Sequence, residues 1–210
     1  ENVKDPYHAS LLHLFHTTFN IFRVGMKARS IPDANHGLHS IITVTKPEVD
    51  TDTAAAYSAQ NIRSMDEGFS LEEPALLGQI KEFEEMTTNH IQPIFPQLVV
   101  QQIHNTLVAR QLLAKGPSNF ELVFHFFGYE DDTPELRELR LLQANLVGPA
   151  GYISMEDTEA TELVQRGTVR DGDKHSYIAM AREAPDQQDT VITENLIRRF
   201  WVGYQKLMGY

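Results

Sequence analysis

The sequence predicts one α+β domain, a curved antiparallel β-sheet gripping a long C-terminal helix, with further helices before and after the sheet. Three observations predict it. Residues 94–129 hold three apolar, β-branched segments joined by short polar links, too short for the crossover that parallel strands need. Residues 193–208 carry Ile197, Phe200, Trp201, Tyr204 and Leu207 at helical spacing. The 210 residues, 41% hydrophobic and 22% charged, suit a single globular domain with a sizeable core.

Taken in order, residues 5–16 read as a helix whose apolar surface is Leu11, Leu12, Leu14 and Phe15, with Pro6 tolerated in the first turn. Residues 19–29 loosen into extended chain. The run LHSIITVT at 38–45 is rich in β-branched residues and reads as a strand, and Asn35, His36 and Gly37 suit the turn between two strands. Residues 46–70 are polar and alanine-rich, a surface excursion with a short helix at 53–65, and residues 74–85 form another short helix. Strands follow at 94–104, 106–113 and 120–129, the last two joined by a turn at Lys115, Gly116, Pro117 and Ser118. Thr133 before Pro134 marks a helix start, and the helix runs to Gly148-Pro149. Ser154 then caps a helix that Gly167 ends. Residues 168–189 read as loop with one strand at 176–180, before the closing helix covers the sheet.

Composition excludes several functions. A net charge of -11 with no basic cluster repels phosphate backbones, so nucleic acid is not expected as a partner. No apolar run approaches the ~18 residues a membrane span needs, and the expected location is cytoplasmic. With no cysteine, disulfides, thiolate metal sites and cysteine nucleophiles are ruled out within these residues. The chain starts at Glu1 rather than methionine and reads as a piece of something longer.

Asp5, His8 and His13 place a carboxylate and two imidazoles within three turns of helix. Histidines five apart are turned through ~500° on an ideal helix and so project ~140° apart. Binding one metal therefore requires the helix to bend, bulge or end between them. The pair also needs a third ligand, and composition leaves Glu156, Asp157, Glu159 and Glu162 equally placed to supply it.

The stretches ENVKDPYHASLLH and GPAGYISMED together resemble the catalytic domain of Rieske non-haem iron ring-hydroxylating oxygenases, large (alpha) subunit, and the resemblance spans the chain. LVARQLLAK, LRLLQANLVGPAGYISMED and FWVGYQKLMG are similar to the enzymes of single-ring aromatic acids: terephthalate, salicylate, anthranilate or halobenzoate. The resemblance implies a helix-grip, Bet v 1-like fold with Fe(II) held by His8, His13 and Asp157. Two neutral imidazoles and one carboxylate on one face of Fe(II) leave positions open for dioxygen. It further implies that Asp5 bridges electrons to the iron from a [2Fe-2S] Rieske cluster. That cluster would sit in an N-terminal domain absent from this chain, leaving residues 1–210 as the catalytic domain. Asn2 departs from the family pattern by one residue and is not expected to be a ligand. The implied partners are dioxygen, an aromatic carboxylate, a reductase and/or ferredoxin, and other subunits in a homotrimer or an α3β3 assembly with a small β subunit.

An aromatic carboxylate asks for a guanidinium, which binds it bidentately. Arg110, on an expected strand, is the first candidate and Arg198, on the closing helix, the second. Ile153 and Met155, with Phe95, Val100 and Phe200, are candidates for the apolar wall. Two other classes fit the same residues. One is a metal-free small-molecule binding module of helix-grip fold. The other is a zinc-dependent hydrolase using the same three ligands. His16, His36, His39 and His104 are expected to be structural or exposed.

Overall fold

The computed structural model describes residues 27–45, 73–84, 87–174 and 195–210. Six strands, β1 (Lys27–Pro32), β2 (Ser40–Thr45), β3 (Thr87–Ile94), β4 (Leu98–Ile103), β5 (Thr106–Ala114) and β6 (Phe120–Phe127), form one sheet in chain order. Each is antiparallel to its neighbour. The meander expected at 94–129 therefore extends back through the expected strand at 38–45, now β2, to six strands. At the β1–β2 turn the Asp33 carboxylate accepts hydrogen bonds from the N–H groups of Asn35, His36 and Gly37 at 3.0, 3.0 and 3.1 Å. Those three donors hold the Asp33 carboxyl below its usual pKa. Gly37 supplies the left-handed residue, at φ 70°, that closes the turn.

Two segments differ from expectation. The run at 94–104 is not one strand: β3 ends at Ile94, a turn containing Pro96 follows, and β4 begins at Leu98. Proline donates no ladder hydrogen bond, so it marks a break inside an otherwise apolar run. β3 itself, TTNHIQPI, lacks the period-2 alternation that would announce it; its order comes from pairing with β2 on one flank and β4 on the other. The helix expected at 74–85 shrinks to a single 3-10 turn, Pro74–Leu77, because side chains from elsewhere bind the backbone beyond it.

Helix α1 (Pro134–Val147) starts where expected, with Thr133 Oγ1 accepting the Leu136 N–H at 3.2 Å, and stops at Gly148. Helix α2 (Tyr152–Arg170) corrects two expectations. Its N-cap is Gly151, while the Ser154 hydroxyl donates to the Val147 carbonyl at 3.0 Å, stapling the start of α2 to the end of α1. Gly167 lies within the helix and does not end it; one interior glycine costs a helix only about 1 kcal/mol. The expected helices at 5–16 and 53–65 and the strand at 176–180 lie outside the described residues. Among the described residues no helix is long and apolar enough to cross a membrane.

The register aligns Ser30, Val44, Asn89, Gln101, Ile103, Thr106 and Val108 on one face of the sheet, and all seven are buried. The helices pack on this inner face. α1 lies over β5 and α2, and joins Ile103 in a core with Leu76, Leu146, Val147 and Ile153. Helix α3 (Asn195–Met208), the closing helix, docks at the β1 edge. There Ser30 Oγ donates to Asn195 Oδ1 at 3.2 Å, and Phe200 meets Phe95 at 6.2 Å. Gly203 lies so close to the His36 carbonyl that a Cβ would collide with it. Ile197, Trp201 and Leu207 stay about half exposed, so the helix is held by fewer apolar residues than its pattern suggests.

A buried ion network locks the loop before β3 to α1 and the β4–β5 turn. Arg140 donates to Asp132 through Nε at 2.8 Å and Nη2 at 2.9 Å, and also to the Glu82 carboxylate and the Asn105 carbonyl. Asn105 in turn donates to the Ile80 carbonyl at 2.7 Å, and Gln143 donates to the Gly78 carbonyl at 2.7 Å. The Arg140 hydrogen bond holds the Asp132 carboxyl below its usual range. Removing one partner of such a network strands the others in low dielectric. Arg140→Met is expected to destabilise the fold by about 3 kcal/mol in denaturant titration, whereas an exposed pair such as Arg166–Glu162 is expected to contribute under 1 kcal/mol.

His104 occupies the β4–β5 turn at φ 51° and is 1% exposed. Burial lowers its pKa from 6.5 to about 4. The unfolded chain therefore binds more protons between those values. Stability is complete above about pH 6.5 and falls as pH drops, by about 3 kcal/mol at pH 4 from this residue alone. His104→Asn keeps a residue that tolerates positive φ and removes the titration. Unfolding free energy followed from pH 7 to 4 should be flatter in the variant by that amount.

Candidate functional site

The turn Gly148–Gly151 sets the direction of α2. Gly151 N–H donates to the Gly148 carbonyl at 2.7 Å, and a Cβ at Gly151 would strike the Leu146 backbone. With α2 also stapled at Ser154, one face of its first turns is aimed at the sheet. That face is Ser154, Asp157, Thr158 and Thr161, at i, i+3, i+4 and i+7. Opposite lie alternate residues of β6, Phe120, Leu122 and Phe124, and Arg110 of β5. Together with Pro149 they line a cavity of about 240 Å³.

Arg110 stands directly opposite Phe124 in the β5–β6 register, with its guanidinium carbon 5.9 Å from the ring centroid. This is cation–π distance and orients the planar guanidinium. Burial pulls the Arg110 pKa below its ordinary value, and the charge of Asp157 opposes that shift. The group stays cationic at any physiological pH. Its Nε is buried without a hydrogen-bond partner among the described residues. An aromatic-walled cavity holding a half-desolvated guanidinium and a carboxylate can bind an organic anion at one end and a cation at the other.

The structure thus brings Arg110 and Asp157 to one cavity. It does not bring the other described candidates there. Arg198 is on α3 at the β1 edge, four strand spacings, or roughly 19 Å, from β5 along the sheet. Ile153 is in the core beside Val147, and Met155 is 58% exposed. Phe95, in the β3–β4 turn, pairs with Phe200 of α3, and Val100 faces Ala109 on the outer side of the sheet. Asp5, His8 and His13 lie outside the described residues. Among those described, no three metal-binding side chains gather. A larger cavity, about 560 Å³ between β6 and α1, holds none of the expected site residues.

The cavity's Phe120, Leu122, Phe124, Thr158 and Thr161 escaped the sequence reading. The signal was present in the alternation along β6 and the helical spacing from Ser154. What pairs those two patterns is the sheet register, which one segment does not carry.

No protein-family model matches the chain. The chain is 80% identical over 210 residues to the anthranilate 1,2-dioxygenase large subunit of Burkholderia cepacia, covering all of this chain and 49% of that protein. It is 43% identical over 209 residues to the terephthalate 1,2-dioxygenase terminal oxygenase component subunit alpha 2 of Comamonas sp., covering 100% of this chain and 50% of that protein. Identity to the salicylate 5-hydroxylase large oxygenase component of Ralstonia sp. is 32% over 210 residues, covering all of this chain and 49% of that one. The chain spans about half the length of the curated relatives it matches. In fold it is similar to the crystal structure of naphthalene 1,2-dioxygenase from Rhodococcus sp. bound to indole, with a TM-score of 0.63 at 16% identity, covering 97% of this chain and 51% of that one.

Proposed function

From the premise that this chain belongs to the family of ring-hydroxylating oxygenase large subunits, we propose that residues 1–210 are the catalytic domain of an oxygenase that hydroxylates or cis-dihydroxylates a single-ring aromatic acid. The observation that carries the reading is the joint placement of Arg110 and Asp157 in one aromatic-walled cavity. The relatives' names, all of oxygenases or hydroxylases, supply the reaction class, and anthranilate is the first substrate to test. They give no support to a zinc hydrolase or a metal-free binding module.

The donor chemistry fits a mononuclear Fe(II). Asp157 is an exposed carboxylate on the cavity wall, and with His8 and His13 it would complete a nitrogen and oxygen set suited to that ion. Bound there, Fe(II) would supply the activation of dioxygen. Electrons would arrive through Asp5 from a Rieske [2Fe-2S] cluster. A cluster of two cysteines and two histidines must be held outside these residues, which contain no cysteine. The chain's own groups do the positioning. Arg110 binds the substrate carboxylate bidentately, while Phe120, Leu122 and Phe124 flank the ring and exclude water. A reductase and/or ferredoxin completes the system. A homotrimer or α3β3 assembly and a cytoplasmic location complete the proposal.

The test uses the full oxygenase containing this chain, with its electron-transfer partners. Oxygen uptake and hydroxylated product should rise together on adding anthranilate. Tight binding of aromatic acids with no oxygen consumed by iron-loaded enzyme would sink the reading.

A further inference from the structure

On the inner face of the sheet, Oε1 of Gln101 and Nε of Arg110 are buried and have no hydrogen-bond partner among the described residues. Gln101 is 5% exposed. Buried polar groups are nearly always satisfied, so each exception asks what it serves. The two are close in register. Gln101 of β4 faces Val108 of β5, and Val99 faces Arg110, so Gln101 and Arg110 are diagonal neighbours on one face. Such neighbours lie roughly 7 Å apart, which one aromatic ring with its substituents bridges.

The pair is also chemically matched. One is an amide oxygen with no donor, and the other a guanidinium whose Nε–H has no acceptor, among the described residues. A ligand satisfying both presents an anion to Arg110 and an N–H or O–H to Gln101. Resting on the reading of Arg110 as the carboxylate anchor, we propose that Gln101 is a specificity residue whose side-chain oxygen accepts a hydrogen bond from a donor substituent adjacent to the carboxylate of an aromatic acid. Amino and hydroxy substituents meet that description. An unsubstituted benzoate leaves the amide oxygen unpaired, and a site built to hydrogen-bond a substrate discriminates against the analogue that lacks the group.

The experiment compares kcat/KM for anthranilate and benzoate in the full oxygenase with its electron-transfer partners, for wild type, Gln101→Met and Gln101→Asn. Methionine keeps the length and removes the acceptor; asparagine keeps the amide and withdraws it by one methylene. The preference for anthranilate over benzoate should fall about tenfold in Gln101→Met and less in Gln101→Asn. Losing an unpaired buried acceptor should leave the ligand-free melting temperature unchanged or raised. An unchanged preference overturns the proposal, whether or not both substrates slow together. Should Gln101→Met fail to fold, the ratio in Gln101→Asn decides by the same criterion. If the wild type consumes neither acid, the underlying substrate reading fails, a different result from a failure confined to the Gln101 variants.

Discussion

Asp157→Ala, reconstituted anaerobically with Fe(II), is expected to hold less than about one-tenth of the iron bound by the wild-type protein, with His8→Ala behaving alike. Changing groups that merely orient a metal's ligands costs 10- to 100-fold in affinity, and removing a ligand should cost at least as much. The fold should survive the loss. Asp157 is exposed, and the Gly148–Gly151 turn and the Ser154 to Val147 hydrogen bond hold the start of α2. Iron assay with melting temperature in parallel separates a ligand from a structural residue. Equal iron in wild type and both variants would end the case for this site.

Arg110→Leu is expected to raise KM for aromatic acids by about a hundredfold while leaving iron content unchanged. The figure corresponds to about 3 kcal/mol, the upper range for hydrogen bonds to charged groups. Leucine fits the apolar wall of Phe120, Leu122 and Phe124, and its burial carries none of the desolvation cost that depresses the Arg110 pKa. The variant should therefore be no less stable than wild type. Arg110→Lys keeps the charge but loses the planar fork, so an intermediate KM is expected. Should Arg110→Leu lose affinity equally for an aromatic acid and its uncharged amide, the guanidinium is not the carboxylate anchor.

Both results concern residues that the sequence offered for different reasons. Asp157 was one acidic side chain among four on its helix until the family motif selected it. Arg110 was a cation on an expected strand, with Arg198 as rival. What separates the two arginines is strand order. β5 lies beside β6, and its Arg110 faces α2 across the cavity, while α3 docks at β1. Ile153 and Met155 were offered as apolar residues able to line a pocket. Helical geometry sends Ile153 into the core and Met155 to solvent, while Ser154, Thr158 and Thr161 share the face of Asp157.

The sequence by itself determined the α+β class, the antiparallel connection of β4, β5 and β6, the limits of α1 and the absence of thiolate chemistry. These rest on short-range physics: alternation for strands, turn residues between them, and a threonine-proline start with a glycine stop for the helix. The family motifs added the expectation of a His8, His13 and Asp157 metal set. Only the tertiary structure decided that β3 is a strand, that Ser154 staples two helices rather than capping one, and that Arg110, Phe124 and Asp157 meet. Those outcomes depend on which strands pair and in what register. Register is set by many weak contacts between distant segments, so no single stretch of sequence contains it.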